Sequence, residues 1–415
     1  MTSLKLRVQE VHDPMHETKT IGERLRSARR YRGMSLQLLA DRSGLSKGFL
    51  SMVENGKRSL ERRSHITALA DALEVSVADL TGQPYNPPPR PNGAGGHGTV
   101  PRVRVALLGS SLDEPADVRP RPFSELLGET AEVERLCEAS DYGRFGRMLP
   151  GLLPELHVSA VTGDERQRRA ALRALVRAAH ATFYLLKDLG YLDLAQIAVQ
   201  QARAAAVKSE DATLSALAAF VRTHALLPAG VYLAALRNAR QAAEYLQAAT
   251  DDPAALELYG MLNLSAALAC VTMGESGDAD THLREAGETA ERTGEGNAFG
   301  LHFGPTNVAL WRVALLVEMG DSGKADEVAR SVVPELIGSR GRQATFFADW
   351  GRALAHLPGR DREAIEKLRR AERLAPEQVR NSPLVRETVS HLLNRARNAV
   401  GGRDLRGLAY RFGLS

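Results

Sequence analysis

An all-α protein in two parts is what the sequence predicts: a compact five-helix block over residues 20–82, then an α-solenoid of helical pairs over 123–415. Three observations carry this. Aromatics are only 5% of the 415 residues, while Ala, Leu, Glu and Arg are plentiful, a mix that favours helices over strand-rich folds. Helix start and stop signals recur along the chain at short intervals. A Pro/Gly-rich stretch, QPYNPPPRPNGAGGHGTVP at 83–101, cannot bury a core, and with a weaker break at 109–122 it marks 83–122 as the linker between the two parts.

Composition narrows the function classes. Hydrophobic content of 44% and charged content of 25% suit a globular protein and argue against wholesale disorder. No run approaches about 18 uninterrupted apolar residues, so no membrane span is expected. Residues 1–19 are polar and without period, which reads as a loose arm and carries no apolar signal core. Cys137 and Cys270 stand far apart with no CxxC spacing, so neither structural metal nor a disulfide framework is expected and a reducing cytoplasm is the default.

Charge is local. Residues 1–85 carry 14 basic and 10 acidic groups, and the remaining 330 carry 40 of each. Residues 24–63 alone hold 11 basic against 3 acidic groups. A confined positive patch is what a polyanion partner requires. Arg outnumbers Lys 46 to 8, so a single Arg weighs little as a functional signal.

Within the first block, Thr20 and Glu23 form a capping box that opens helix one, and Gly33 closes it. Helix two spans about Ser35–Ser43, Gly44 and Leu45 make a tight turn, and Ser46 caps helix three, which runs to about Asn55. Helices four and five follow at about 64–74 and 76–81. Leu25, Leu39, Ala40, Leu45, Leu50, Val53, Leu69, Leu73 and Leu80 supply the core.

The stretches LADRSGLSKGFLSMVENGKR and LADALEV resemble the lambda-repressor-like, XRE-type helix-turn-helix. The resemblance implies double-stranded DNA as partner, with helix three in the major groove. It implies that Glu54 is a buried acid paired with Arg29, a structural pair with no DNA role. Ser46, Lys47, Gly48, Phe49, Ser51 and Met52 then lie at the DNA face. Lys47 suits guanine acceptors or a phosphate, and Ser51 can donate or accept. Many relatives carry Gln where Met52 stands, and Met offers only apolar contact, so direct base readout is sparse and DNA shape contributes. Gln37, Asn55, Lys57, Arg58, Arg62 and Arg63 are the phosphate candidates.

Other motif matches fail on context. GLSKG at 44–48 fits G-x-S-x-G, but a helix precedes it where a nucleophile elbow needs a strand. GAGGHG at 93–98 follows PPPRPN and lacks the strand–helix setting of a dinucleotide site. His12 and His16 flank Pro14 in a polar tail, and the other histidines, His65, His157, His180, His224, His282, His302, His356 and His391, are scattered. Nothing assembles a catalytic site or a cofactor site, so the reading is not an enzyme.

The long region repeats loosely. Helical pairs begin near Asp164, Asp211, Pro253, Pro305, Arg342 and Pro383, with small residues such as Ala195, Ala198, Ala202 and Ala205 where helices approach. This resembles tetratricopeptide repeats with longer, degenerate units. An irregular α-bundle is the alternative. The segment HFGPTNVALWRVALLVEMGDSGKAD at 302–326 resembles actinobacterial XRE regulators with repeat-containing C-termini. The order helix-turn-helix, linker, repeat array resembles the peptide-responsive regulators of Gram-positive bacteria. These resemblances imply a homodimer controlled by a signalling peptide, small molecule or regulatory protein. Tyr184, Tyr259, Asn263, Asn307, Trp311, Phe347 and Trp350 are the candidates for lining its groove. The competing expectation is an interaction scaffold whose helix-turn-helix only tethers a protein complex to DNA.

Overall fold

The computed structural model describes residues 19–85, 95–246, 252–396 and 402–414. Among the described residues every regular element is a helix. All but the last residue of the expected arm, and residues 86–94 of the expected linker, lie outside that set.

The first block holds α1 (Ile21–Tyr31), α2 (Leu36–Ser43), α3 (Lys47–Glu54), α4 (Arg63–Leu73) and α5 (Val77–Thr81). Local chemistry sets these bounds. Thr20 and Glu23 close a reciprocal capping box at α1, and Ser76 and Asp79 do the same at α5. Ser35 and Ser46 cap α2 and α3 by accepting from the third backbone N–H of each helix. Gly44 ends α2 at φ +71°, a left-handed conformation that a side chain resists. Leu25, Leu39, Leu50, Leu69 and Leu73 are fully buried between the five helices.

The second part holds α6 (Val100–Leu108), α7 (Phe123–Glu138), α8 (Tyr142–Thr162), α9 (Glu165–Asp188), α10 (Leu192–Ser209), α11 (Ala212–Leu226), α12 (Tyr232–Leu246), α13 (Pro253–Met273) and α14 (Ser276–Thr293). It continues with α15 (Pro305–Met319), α16 (Ser322–Ser331), α17 (Arg340–Ala355), α18 (Asp361–Leu374), α19 (Pro376–Asn381), α20 (Pro383–Ala396) and α21 (Arg403–Phe412). Asp164, Asp211, Asp252 and Ser339 cap the inner helices α9, α11, α13 and α17. Ala195, Ala198, Ala202 and Ala205 are buried along α10 as it packs on α9, because small side chains let the two backbones approach.

One sequence expectation needs correction here. The linker over 83–122 is not linker throughout. Residues 100–108 form α6, whose Val103 and Leu107 enter the main core. Gln201 holds this helix's end by donating to the carbonyls of Leu107 and Ser110. The Pro/Gly-rich flank hid a short apolar helix that is stable only through tertiary contact. The described end of the GAGGHG segment, residues 95–98, is likewise tied down, with the Gly96 N–H donating to Glu377 and His97 sitting 3.2 Å from both Tyr191 and Asn381. Helix α13 is long and apolar enough to cross a bilayer by composition, at mean hydropathy 1.5, yet 78% of that window is buried inside the protein. It is the central core helix of the array.

The array curls until α19 meets α9. The five-helix head does not hang free. Leu384 of α20 completes the head's core. Thr67 and Tyr232 share a 2.9 Å hydrogen bond, and Gln83 donates to the Asn381 carbonyl. The backbone N–H of Leu60 donates to Glu387, which is 8% exposed.

Candidate DNA interface and inner cavity

The α2–turn–α3 unit positions the first candidate site. The Ser46 cap turns the start of α3 outward, so Lys47 and Gly48 are exposed and Met52 is 38% exposed, with Ser51 half-buried beside them. On the opposite side of α3, Leu50 and Val53 are buried and fix its rotation. Arg29 binds Glu54 through two parallel bonds of 2.6 and 2.8 Å, and it also donates to the Met34 carbonyl. That bond to Glu54 outweighs burial and raises the Arg29 pKa. The pair staples α1 to the end of α3 from behind and faces the core.

The other candidates divide. Lys57 and Arg58 are exposed, and no carboxylate bonds either among the described residues. Phe49 is half-buried, edge-on to His65 at 5.5 Å, with the Arg58 guanidinium 5.4 Å over its ring. It shapes the surface and is not a free base-reader. Gln37 donates to Asp41, and the Asn55 amide closes α3 by donating to the Ser51 carbonyl. Arg62 is exposed and lies against the Gly320 turn. Arg63 departs from the expectation of a phosphate ligand. Its backbone N–H and its guanidinium both bind Glu318 of α15, so it belongs to the contact between head and array.

The second candidate site is a partly open cavity of about 490 Å³ on the inside of the array's curl. Of the seven expected groove residues, Tyr184, Asn307 and Trp311 line it. The other four do not. Tyr259 donates to Glu285, and Asn263 bonds Tyr259 and His282. Phe347 is core at 1% exposure, and Trp350 donates to Asp326. Helical period alone did not tell the inner face of each helix from its neighbour-packing face.

The cavity also contains residues that sequence reasoning set aside. His180 and His224 are among them, although they were read as scattered. They stand on the same inner faces as Tyr184 on α9 and Phe220 on α11, one turn away. Burial drives both imidazoles down, to about 4 for His180 and about 3 for His224, so both are neutral at pH 7. Arg342 was noted only as a helix start. Its Nε donates to Asn307 and its guanidinium lies 4.9 Å over the Trp311 ring. Asn307 is held in turn by donating to the Leu301 and His302 carbonyls.

One cluster outside the cavity has metal-ligand chemistry. Cys270, Glu275 and Asp278 can bring ligand atoms within 4.8 Å of each other, but Arg240 already binds Asp278 at 2.7 Å and competes as the cation.

Comparison with known proteins agrees with the geometry of the head. Residues 20–81 match the family described as Helix-turn-helix domain. Over 62 residues, 15% of this chain, the sequence is 39% identical to the HTH-type transcriptional repressor RghR of Bacillus subtilis (strain 168). The match spans 46% of that protein, so the chain covers a little under half the length of this relative.

Proposed function

We propose that this protein is a sequence-specific transcriptional regulator that reads double-stranded DNA through α3 and is controlled by a ligand held inside the repeat array. The observation that carries the reading is the exposed start of α3. Lys47, Gly48, Ser51 and Met52 project from a helix-turn-helix domain, followed by Lys57 and Arg58 with no carboxylate bound to them among the described residues. Such a surface supplies phosphate contacts for affinity and a few base-edge contacts for sequence choice. The name of the matched relative, a transcriptional repressor, supports the same class.

One head offers few base contacts. Two copies on a palindrome double the readout, so the working form is a homodimer in the cytoplasm. The repeat array resembles tetratricopeptide solenoids in its antiparallel pairs and serves as sensor. Its cavity wall includes Arg63, the first residue of α4 in the head, and this supports communication between cavity and DNA face. Control of this kind needs a ligand with different affinities for the DNA-competent and DNA-incompetent states.

The test is a DNA-binding titration of the full chain on its own upstream region, with scrambled DNA of equal length, at two salt concentrations. Preference for the upstream DNA that persists at the higher salt is expected. Equal, steeply salt-sensitive binding to both DNAs, repeated across a library of random sites, would sink the sequence-reading claim.

A further inference from the structure

The inner cavity is built for a particular chemistry. Six buried side-chain atoms without a hydrogen-bond partner belong to residues of its wall: Ser140 Oγ, His180 Nε2, His302 Nε2, Trp311 Nε1, Arg342 Nη2 and Gln378 Oε1. Trp311 is 5% exposed and His180 is 9% exposed. Folded proteins pair such groups, and a cluster left open marks a place where another molecule completes them.

The wall carries four acids and four strong bases, most of them paired at contact distance. Glu134 is taken by Arg177, Asp188 by Lys187 and the Tyr142 hydroxyl, and Asp349 by Arg352, while Glu138 accepts from the Asn297 amide and faces His302 at 3.6 Å. Arg63 is taken by Glu318. Among the described residues Arg342 alone of the wall's strong bases has no carboxylate within salt-bridge distance; it holds the neutral Asn307 amide oxygen and the Trp311 ring, with the Asp349 charge acting from farther off. Asn307, itself fully buried, locks the guanidinium by Nε and leaves Nη2 open.

One stretch of the otherwise mixed wall is aromatic. Trp311, His224, Phe220, His180 and Tyr184 form a continuous aromatic run, with successive centroids 6.0, 4.3, 6.5 and 5.0 Å apart. Arg342 stands at one end of it. A cavity of about 490 Å³ suits a compact molecule and is cramped for an extended peptide.

We infer that this cavity binds a small organic acid carrying an aromatic ring, its carboxylate on the Arg342 guanidinium and the Trp311 N–H, its ring along Phe220, His224 and Tyr184. Gln378 is left for a second polar substituent. The inference deepens the ligand-controlled reading above, and its test involves no DNA, so the two stand or fall separately.

The experiment is fluorescence titration and calorimetry of the full chain with benzoate, indole-3-carboxylate and 2-naphthoate, each beside its carboxamide. At least one acid is expected to bind saturably and to quench Trp311, with the signal kept in Trp350→Phe. Its carboxamide is expected to bind roughly tenfold more weakly, having lost the charge-assisted bond. Arg342→Gln is expected to erase the preference for acid over amide, and Arg342→Lys to keep part of it. Thermal melts confirm that each variant is folded, and the acid-to-amide ratio in the unaltered protein carries the test even if a variant is not. Equal affinity for acids and amides, no saturable binding by any of the three acids, or binding only of peptides longer than four residues would overturn the inference.

Discussion

Arg63 and Glu318 join the DNA-binding head to the repeat array through one carboxylate. Glu318 accepts the Arg63 backbone N–H at 3.1 Å on one oxygen and the Arg63 guanidinium on the other. Arg352, 2% exposed, donates to the same carboxylate at 3.4 Å and bonds the Glu61 carbonyl at 2.9 Å. A buried carboxylate between two cations cannot be removed cheaply. Glu318→Ala leaves Arg352 buried with only Asp349 and Glu61 to offset it, and should cost about 3 kcal/mol, the low end for breaking a buried pair because Arg63 is partly solvated. Urea denaturation measures this. The same variant should speed limited proteolysis between the head and the array as the head loosens. An unchanged digestion pattern together with an unchanged unfolding midpoint would show that the pair holds nothing.

Lys47 and Arg58 are expected to act differently on DNA. Lys47 opens α3 and is exposed, and on the proposed docking it faces base edges. Arg58 lies beyond the helix, over Phe49, and on the same docking it faces the duplex backbone. Lys47→Ala should weaken binding to the specific site by about 1–3 kcal/mol and leave random DNA less affected. Arg58→Ala should weaken both alike and lower the slope of log affinity against log salt by about one. Parallel losses on specific and random DNA for both variants would remove Lys47 from the base-reading set.

How much of this was legible in the sequence differs between the two parts. The head was legible because its signals are local. Ser35, Ser46, Gly44 and the Thr20–Glu23 box each act within four residues, and a short chain of such signals resembles one known motif. The starts of the helical pairs were legible for the same reason, through Asp164, Asp211, Pro253 and Pro305. What failed was non-local. α6 stands in a stretch that reads as linker. Arg342 meets Trp311 only after the chain curls, and Arg63 meets Glu318 across 255 residues. No window of sequence contains either pair, and an Arg-rich composition disguises both.

Glu387 should give the docked structure a pH dependence. It is buried against the head, and burial pushes its carboxyl up to about 7 from an ordinary 4.5, against the help of the Leu60 N–H. The folded state therefore holds this proton more tightly than the unfolded chain does. Its contribution is most favourable below about pH 4.5 and declines as pH rises to about 7, then stays level. The loss over that window is about 3 kcal/mol, from 2.5 pH units at 1.36 kcal/mol each. Glu387→Gln keeps an acceptor for Leu60 and never ionises. Urea titrations at pH 5, 6, 7 and 8 should show the variant drawing ahead of the parent between pH 5 and 7. Parallel curves for the two proteins would mean that Glu387 does not change charge there.

Gly22 and Gly48 separate folding from recognition within the same domain. Gly22 lies in α1, where an added Cβ would come 2.2 Å from the Val53 carbonyl oxygen at the end of α3. That neighbour is backbone and cannot swing aside, so the two helices must part. Gly22→Ala should cost about 1–3 kcal/mol of stability and displace the DNA-reading helix with it. Gly48 is exposed in the first turn of α3, and a Cβ there meets nothing within 4 Å. Gly48→Ala should leave the fold intact or raise its stability by about 0.5 kcal/mol, since Ala restricts the unfolded chain more than Gly. If α3 enters the groove by its N-terminal turn, the new methyl meets the DNA and specific affinity falls while stability does not. Thermal melts and a binding titration on the same samples decide the matter. A Gly48→Ala protein with full affinity for its specific site would place the contact surface elsewhere on the head.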